Sequence, residues 1–297
     1  MAKKITITFS ELLGMFYKSN EYRDLADTTR SQYMYWLGIA ADHLPKNVRC
    51  DKITGALAND VYEKIATQKG TVLANRVLAV CRRVFSFAIR RDMLEVNNPW
   101  RKVKTKPEES RRVIWQQKDI VAFLDVAYSD WRTRSVGIIA QMCYEWCQRV
   151  GDMRLLTWDT INFEKGYVKL IQSKRRAQVK IPISNNLLAM LEQQKDALDF
   201  QPYVAPFAVG NNNKPYDKFR ISQIANQIKN KAGLLPELRL SDLRRSGVTE
   251  MVEAGVPMPQ IMSVTGHSSP ASVSPYIKNS LLSSSKACTL RSVYTGK

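Results

Sequence analysis

Late in the chain, the stretch Val264-Thr-Gly-His-Ser-Ser-Pro-Ala-Ser-Val-Ser-Pro-Tyr276 places a tyrosine nine residues after a histidine. Two earlier stretches combine arginines with acidic and hydroxyl side chains: Cys147-Gln-Arg-Val-Gly-Asp-Met-Arg-Leu-Leu-Thr-Trp158 and Leu240-Ser-Asp-Leu-Arg-Arg-Ser-Gly-Val-Thr249. Cleavage of a phosphodiester by side chains alone requires a nucleophile, strong donors to the phosphate oxygens and an acid for the leaving oxygen. The three stretches contain residue types that can supply such groups.

The composition of the whole chain points to a polyanionic partner. The 297 residues include 45 Lys and Arg against 27 Asp and Glu, a formal net charge of +18. An apolar fraction of 44% is enough for a packed core and excludes a mostly disordered chain. No run approaches the roughly 18 apolar residues of a membrane span, and the first nine residues lack a signal-peptide core. We therefore expect a soluble, cytoplasmic protein that binds nucleic acid and no membrane.

The sequence contains no pattern that indicates a metal site or a nucleotide-binding loop. Five cysteines without a CxxC pair and only two histidines make a zinc site improbable, so buried reduced thiols are expected. The patterns GxSxG, HExxH and GxxxxGK[ST] are all absent. We expect neither a metal nor a cofactor.

The apolar periodicity of the first third of the chain predicts a helical domain, which we place at residues 1–104. We predict Ser10 as the N-cap of its first helix, and the longest apolar-periodic run covers 72–93. Residues 1–105 hold 18 basic and 10 acidic residues. The excess is typical either of a solvated helix face or of a surface that grips DNA. The candidate DNA contacts are Arg82, Arg83, Arg90, Arg91, Lys102 and Lys104.

A polar, Pro-containing stretch over residues 105–112 predicts an interdomain linker. Beyond it, residues 113–280 read as a mixed domain, mainly helical. Strand-like runs over 160–163, 167–172 and 179–183 are separated by turns, which predicts a small antiparallel sheet. Residues 281–297 read as a short tail.

Taken in order, the quoted stretches resemble the tyrosine recombinase (phage integrase) family. The family pattern is an arginine with an acid three residues on, a lysine in a β-hairpin, an arginine-bearing helix, then Gly-His and a tyrosine nine residues after that histidine. The resemblance covers about residues 8–280. It implies a helical core-binding domain and a mixed α/β catalytic domain that close as a clamp on DNA. Because the first core-binding helix is expected near Ser10, we expect no arm-binding domain ahead of it.

The resemblance also implies roles for individual side chains. Arg149 and Arg244 would grip the non-bridging oxygens of the scissile phosphate, since a planar guanidinium offers paired donors. Asp152 would hold Arg149 in place. Arg245 would contact backbone phosphate or act as a structural neighbour.

The remaining roles involve proton transfer and the covalent bond. Lys174, in the turn between two predicted strands, would protonate the departing 5′ oxygen, with Arg175 and Arg176 as neighbouring DNA contacts. His267 would donate to a phosphate oxygen or transfer a proton. Tyr276 would be the nucleophile, and nearby positive charge would offset the cost of ionising a phenol whose pKa in water is about 10.

The sequence departs from the family pattern at Ser241, where His or Lys is usual. A serine hydroxyl donates one hydrogen bond but does not carry a proton as an imidazole does. We therefore expect a neighbouring basic side chain or a water molecule to carry the proton that His or Lys carries in the family. Pro275 is also unusual directly before the nucleophile and should stop a regular helix from running through it.

The implied activity is site-specific DNA recombination through a 3′-phosphotyrosine, in phage or mobile-element integration and excision. Expected partners are double-stranded DNA at attachment sites, further copies of the chain in a tetramer on paired sites, and accessory factors that bend DNA or set direction. A tail segment is expected to dock on a neighbouring protomer, anchored by Leu281 and Leu282, although a frayed terminus fits the composition almost as well. Alternatives are a bacterial chromosome-dimer resolvase, a type IB topoisomerase and a non-catalytic DNA-binding relative.

Overall fold

A computed structural model of the protein describes residues 7–109, 111–174, 176–198, 200–207, 214–276 and 281–296. The chain divides into two compact units, Met1–Arg111 and Arg112–Lys297. The linker expected over 105–112 spans this division. No helix among the described residues is both long enough and apolar enough to cross a membrane.

The first unit is helical, as its apolar periodicity predicts. Its α-helices are α1 (Phe9–Lys18), α2 (Asn20–Arg23), α3 (Asp27–His43), α4 (Gly55–Lys69) and α5 (Thr71–Arg90), with short 3-10 turns at Cys50–Lys52 and Pro99–Lys102. The prediction of Ser10 as N-cap is wrong. Thr8 caps α1, because its hydroxyl accepts from the amide of Glu11 while the Glu11 carboxylate accepts from the amide of Thr8.

Aromatic side chains form the core of the first unit. Phe16 and Phe87 meet edge to face with centroids 5.2 Å apart, and Phe85 packs against Trp100 at 6.3 Å. All four rings are fully buried. Burial of such large apolar surfaces holds the short helix α1 and the 3-10 turn around Trp100 against the long helix α5.

The second unit is mixed, with eight α-helices among its described residues. These are α6 (Gln117–Tyr128), α7 (Trp131–Glu145), α8 (Val150–Met153), α9 (Asn185–Leu198), α10 (Lys218–Lys231), α11 (Leu240–Ala254), α12 (Met258–Thr265) and α13 (Leu281–Thr295). Short 3-10 turns lie at Trp158–Thr160, Pro270–Ser272 and Ser274–Tyr276.

A three-stranded antiparallel sheet in the order β1-β2-β3 confirms the sequence-based prediction. The strands are β1 (Ile161–Asn162), β2 (Tyr167–Ile171) and β3 (Gln178–Pro182). Val168 pairs with Ile181, and Leu170 pairs with Val179. These side chains are buried, while their neighbours along each strand are exposed apart from the half-buried Tyr167, as expected of a sheet with one face on the core. The alternation places the next inward position, residue 172, just beyond the end of β2.

Helices α7 and α11 approach each other closely at Gly247. A Cβ atom on Gly247 would lie 2.4 Å from the backbone oxygen of Tyr144 and 2.8 Å from the sulfur of Cys147. Only glycine fits this contact without a shift of the backbone. The contact brings the helix that carries Arg244 against the segment that leads into Arg149.

The C-terminal segment differs from the sequence-based expectation of a short tail. It forms helix α13, and Leu290, Val293 and Tyr294 are exposed on it. The side chains of Leu281 and Leu282 lie outside the described part of the chain. Cys50, Cys81, Cys143 and Cys147 are buried free thiols as predicted, but Cys288 on α13 is exposed, so the prediction of burial is wrong for that residue.

Candidate active site

Arg149 stands at the N-terminus of the short helix α8, half-buried beside the end of strand β2. Its Nη1 donates to the side-chain oxygen of Gln172 over 3.0 Å. The Asp152 carboxylate lies 3.7 Å from the same nitrogen, one helical turn along the chain. The guanidinium is thus held by one neutral acceptor and one carboxylate.

Asp152 links this helix to the turn that follows β2. Its Oδ1 accepts from both the backbone amide and the hydroxyl of Ser173, over 3.0 and 2.6 Å. Its Oδ2 is buried and, among the described residues, has no hydrogen-bond donor. The carboxylate therefore fixes the turn as well as facing Arg149.

Arg244 projects from α11 and is almost fully buried. Its Nη2 donates to the backbone carbonyl of Thr265 over 2.9 Å and lies 3.2 Å from Nε2 of His267. Burial lowers the pKa of Arg244 below its ordinary value, and the positive charge of Arg149 lowers it further. Arginine remains charged in such surroundings, so two cations are held close together.

The hydrogen bonds of His267 define its tautomer. The hydroxyl of Thr265 donates to the carbonyl of Ile261 over 2.8 Å, so it accepts from Nδ1 of His267, also 2.8 Å away. With the proton on Nδ1, Nε2 is the acceptor that faces Arg244. The imidazole is neutral in this arrangement, and its Nε2 can receive a proton.

Tyr276 lies in the 3-10 turn Ser274–Tyr276, directly after Pro275, so no regular α-helix runs through it. Its half-buried ring has its centroid 6.0 Å from that of His267. The guanidinium carbon of Arg245 sits 5.4 Å above the same ring, a cation–π contact that orients the phenol. Arg149, Arg244, His267 and Tyr276, which we call the catalytic cluster, thus come together from separate stretches of the chain.

The other expected site residues lie around this cluster. Lys174 and Arg176 are exposed in the turn between β2 and β3, and Arg176 has a left-handed backbone with φ of 55°. Arg175 lies outside the described residues. Ser241 is exposed in the first turn of α11, where it lines a cavity of about 450 Å³ together with Arg154.

Sequence reasoning missed a buried polar network beneath the cluster. Gln172 donates through Nε2 to the side-chain oxygen of Gln148 and to the carbonyl of Thr265. Gln148 in turn donates to the carbonyl of Val264 over 2.7 Å. A polar residue at an inward position of a predicted strand is the signal that could have found Gln172.

The basic residues expected to bind DNA from the first unit have varied surroundings. Arg82 donates to the backbone carbonyls of Trp100 and Val103. Arg83 and Arg90 both pair with Glu21.

Arg91 lies over the ring of Phe87 at 4.6 Å, and Lys102 and Lys104 are exposed. Three of the six therefore make polar contacts inside the unit.

The cluster joins two arginines, a histidine and a tyrosine in a mainly helical domain, which are the residue types that phosphoryl transfer by side chains requires. The family model for the phage integrase family matches residues 115–281, more than half of the chain. The chain therefore belongs to the phage integrase family, the tyrosine recombinases. No curated protein sequence matches it significantly.

Solved structures support the fold along nearly the whole chain. A lambda integrase dimer bound to a COC′ core site matches with a TM-score of 0.78 and 18% identity, covering 93% of this chain and 79% of that one. The integrase of transposon Tn1549, in complex with a circular intermediate DNA, matches with a TM-score of 0.77 and 14% identity, covering 96% and 99%. The predicted family and fold class are confirmed.

Proposed function

We propose that this tyrosine recombinase integrates or excises phage or mobile-element DNA at specific sites, and that Tyr276 is its nucleophile. The observation that carries the assignment of the nucleophile is the catalytic cluster itself. Tyr276 stands beside His267, which contacts Arg244, and a buried network links Arg244 to Arg149. Of the 12 tyrosines in the chain, this one has the spacing and the neighbours that the chemistry needs.

The reaction begins with attack of the Tyr276 oxygen on the scissile phosphorus. The new phosphorus–tyrosine bond forms as the bond to the 5′ oxygen breaks, leaving a 3′-phosphotyrosine and a free 5′ hydroxyl. Nε2 of His267 takes the phenol proton, and Lys174 supplies a proton to the departing oxygen. A 5′ hydroxyl of the partner duplex then reverses these steps, so the energy of the ester is retained.

Arg149 and Arg244 stabilise the charge that develops on the phosphate oxygens. Both guanidinium groups are already held in place, Arg149 by the Gln172 amide and the Asp152 carboxylate and Arg244 by the Thr265 carbonyl. Little reorganisation is therefore needed when the phosphate arrives. Nη1 of Arg244 is buried and has no hydrogen-bond partner in the described part of the chain, and in our proposal it donates to a phosphate oxygen. Phosphate binding would also draw Nη2 from His267 and free Nε2 for the proton.

Ser241 adds little to this chemistry in our proposal. It is exposed and borders a cavity, and its hydroxyl offers a single donor. The non-catalytic alternative rests on this substitution alone. A retained set of two arginines, a lysine, a histidine and a tyrosine argues against it.

Double-stranded DNA is the proposed partner, and the +18 charge supports it. One structural neighbour is a lambda integrase tetramer bound to a Holliday junction. We extend this assembly to the present chain, with accessory factors that bend DNA or set direction. Helix α13, whose Leu290, Val293 and Tyr294 are exposed, is the proposed segment that docks on a neighbouring protomer.

Covalent trapping tests the nucleophile. The substrate is a duplex that the protein selects from a random-sequence pool, nicked beside the cleavage site so that the 5′ fragment diffuses away. Wild type should give an adduct on a denaturing gel, while Tyr276→Phe should bind the duplex with unchanged affinity and give none. The matched control Tyr35→Phe changes an exposed tyrosine to which we assign no role and should react like wild type. An undiminished adduct in Tyr276→Phe would refute the assignment.

Two further conditions separate the alternatives. Every proposed catalytic group is a side chain, so adduct formation should persist in excess chelator; a loss restored by magnesium would instead reveal a metal requirement. A type IB topoisomerase would relax an unrelated supercoiled plasmid without site preference. The recombinase should require its selected site.

A further inference from the structure

Gln172 is the most highly connected side chain beneath the catalytic cluster. It follows β2 directly and is fully buried. Its Oε1 accepts from Nη1 of Arg149 over 3.0 Å, and its Nε2 donates to Gln148 over 2.6 Å and to the carbonyl of Thr265 over 2.8 Å. One amide therefore joins the end of β2 to two other segments of the second unit, the one with Gln148 and Arg149 and the one with Thr265.

The orientation of this amide is fixed by its partners. A guanidinium is only a donor and a backbone carbonyl is only an acceptor, so Oε1 must face Arg149 and Nε2 must face Thr265. No other side chain of this length offers an acceptor and two donors at one end. A carboxylate lacks the donors, and an apolar side chain lacks both.

The same amide reaches the second arginine through a shared acceptor. The carbonyl of Thr265 accepts from Gln172 and also from Nη2 of Arg244. The hydroxyl of Thr265 contacts Nδ1 of His267. Displacement of Gln172 would therefore disturb Arg149 directly, and Arg244 and His267 through Thr265.

Gly266 leaves the space that Gln172 occupies. A Cβ atom on Gly266 would lie 2.7 Å from Nε2 of Gln172, and the backbone there is left-handed with φ of 68°. Glycine is thus required at this position by both conformation and packing. The backbone of Gln172 anchors the turn as well, since its carbonyl accepts from the amide of Arg176 and its amide donates to Ala177.

We infer that Gln172 is a positioning residue for phosphoryl transfer: it sets the two arginines and His267 in the one arrangement that meets the scissile phosphate. This inference rests on the proposed function. Gln172 touches neither DNA nor the reacting atoms and acts through Arg149 and Thr265. A misplacement of about 1 Å in such a site costs on the order of 100-fold in rate.

The test compares Gln172→Met with Gln194→Met in single-turnover adduct formation at saturating DNA. Gln194 is the matched control, because it is also a buried amide of the second unit that donates to two acceptors, the hydroxyl of Ser135 and the carbonyl of Val204. Gln172→Met should slow cleavage by about 10- to 100-fold with DNA affinity unchanged. Gln194→Met should cleave at the wild-type rate once corrected for its folded fraction.

A neutral substrate separates positioning from general loss of structure. A methylphosphonate at the scissile position removes the negative charge that the arginines meet. The rate ratio of wild type to Gln172→Met should then shrink toward one. Equal slowing on both substrates, or equal effects of the two methionine variants, would overturn the positioning role.

Gln172→Glu supplies a pH readout if the methionine variant does not fold. Its ionised carboxylate keeps the acceptor for Arg149 but repels the oxygens of Gln148 and Thr265. Protonation restores one donor, so the rate of the variant relative to wild type should rise as the pH falls. A ratio that stays flat with pH would overturn the inference.

Arg149→Ala distinguishes this inference from the proposed function. If Arg149→Ala abolishes the adduct while Gln172→Met leaves it unchanged, only the inference fails. If wild type forms no adduct at Tyr276, the proposed function fails and the inference with it.

Discussion

Arg244 in the catalytic cluster and the arginines that pair with Glu21 in the first unit are held in different ways. Arg149 is shared between the neutral amide of Gln172 and the Asp152 carboxylate. Arg244 instead donates to the carbonyl of Thr265 and keeps one buried nitrogen without a hydrogen-bond partner among the described residues. In the first unit, Arg83 and Arg90 share the carboxylate of Glu21. Net charge alone therefore does not identify a phosphate site. A donor that is fixed, buried and not neutralised does.

The comparison predicts its largest effect on the cleavage rate, for a substitution of Arg244. Arg244→Ala removes charge-assisted donors from a preorganised site, so the cleavage rate at saturating DNA should fall by about 100- to 1,000-fold, or about 3 kcal/mol. Arg83→Ala in the first unit should leave that rate nearly unchanged. Single-turnover adduct formation measures both.

Ser241→Ala serves as the internal control within the second unit, because Ser241 is exposed in the same helix. It should cost far less than Arg244→Ala. Equal losses in the two variants would show that the serine contacts the phosphate directly and that our view of this corner is wrong.

An intermediate effect is expected on stability, at the contact between helices α7 and α11 around Gly247. Gly247→Ala forces a methyl group against the backbone of Tyr144, so the free energy of unfolding should fall by about 1–3 kcal/mol. Gly38→Ala, within α3 of the first unit, meets nothing within 4 Å. It should raise that free energy by up to about 1 kcal/mol, as a helical Gly→Ala change does where the added methyl group has room. Denaturant titration with a spectroscopic probe in each unit measures the free energy of unfolding of both variants. An unchanged free energy of unfolding in Gly247→Ala would contradict the close contact.

The smallest effect is expected on the salt dependence of DNA affinity. It distinguishes basic side chains that bind DNA from those that stabilise the first unit. Lys104 is exposed, so Lys104→Ala should reduce the slope of log K against log salt by about 0.9 with stability unchanged. Arg82 instead donates to two carbonyls of its own unit. Arg82→Met should cost about 1–3 kcal/mol of stability and leave the slope unaltered. The reverse pattern would place Arg82 on DNA.

Much of the fold could be predicted from the sequence because the elements have clear periodicity. The three strands of the sheet were predicted to within one residue at each end, since alternation and turn residues agree there. Helix α13 was missed because its serines and its few apolar residues gave no amphipathic pattern. The N-cap of α1 was misplaced by two residues because Thr8 and Ser10 are both cap-forming residue types and serine is the more favoured of the two.

The residues of the catalytic cluster could be predicted from sequence spacing, but the hydrogen bonds that hold them in place could not. The nine-residue spacing from His267 to Tyr276 can be read directly from the sequence. The shared carbonyl of Thr265 is a backbone atom, and no sequence pattern reports which side chains converge on it. Gln172 was within reach, because it continues the inward alternation of Val168 and Leu170.

The most direct test of the central claim is to identify the residue that carries the nucleotide in the trapped adduct. Wild-type protein reacted with the nicked duplex is digested with nuclease and protease, and the modified peptide is sequenced by mass spectrometry. We predict a nucleotide on Tyr276, within the described turn that ends at this residue. A nucleotide on Tyr294 or Tyr216 would contradict both the nucleophile and the alignment of His267 that selected it.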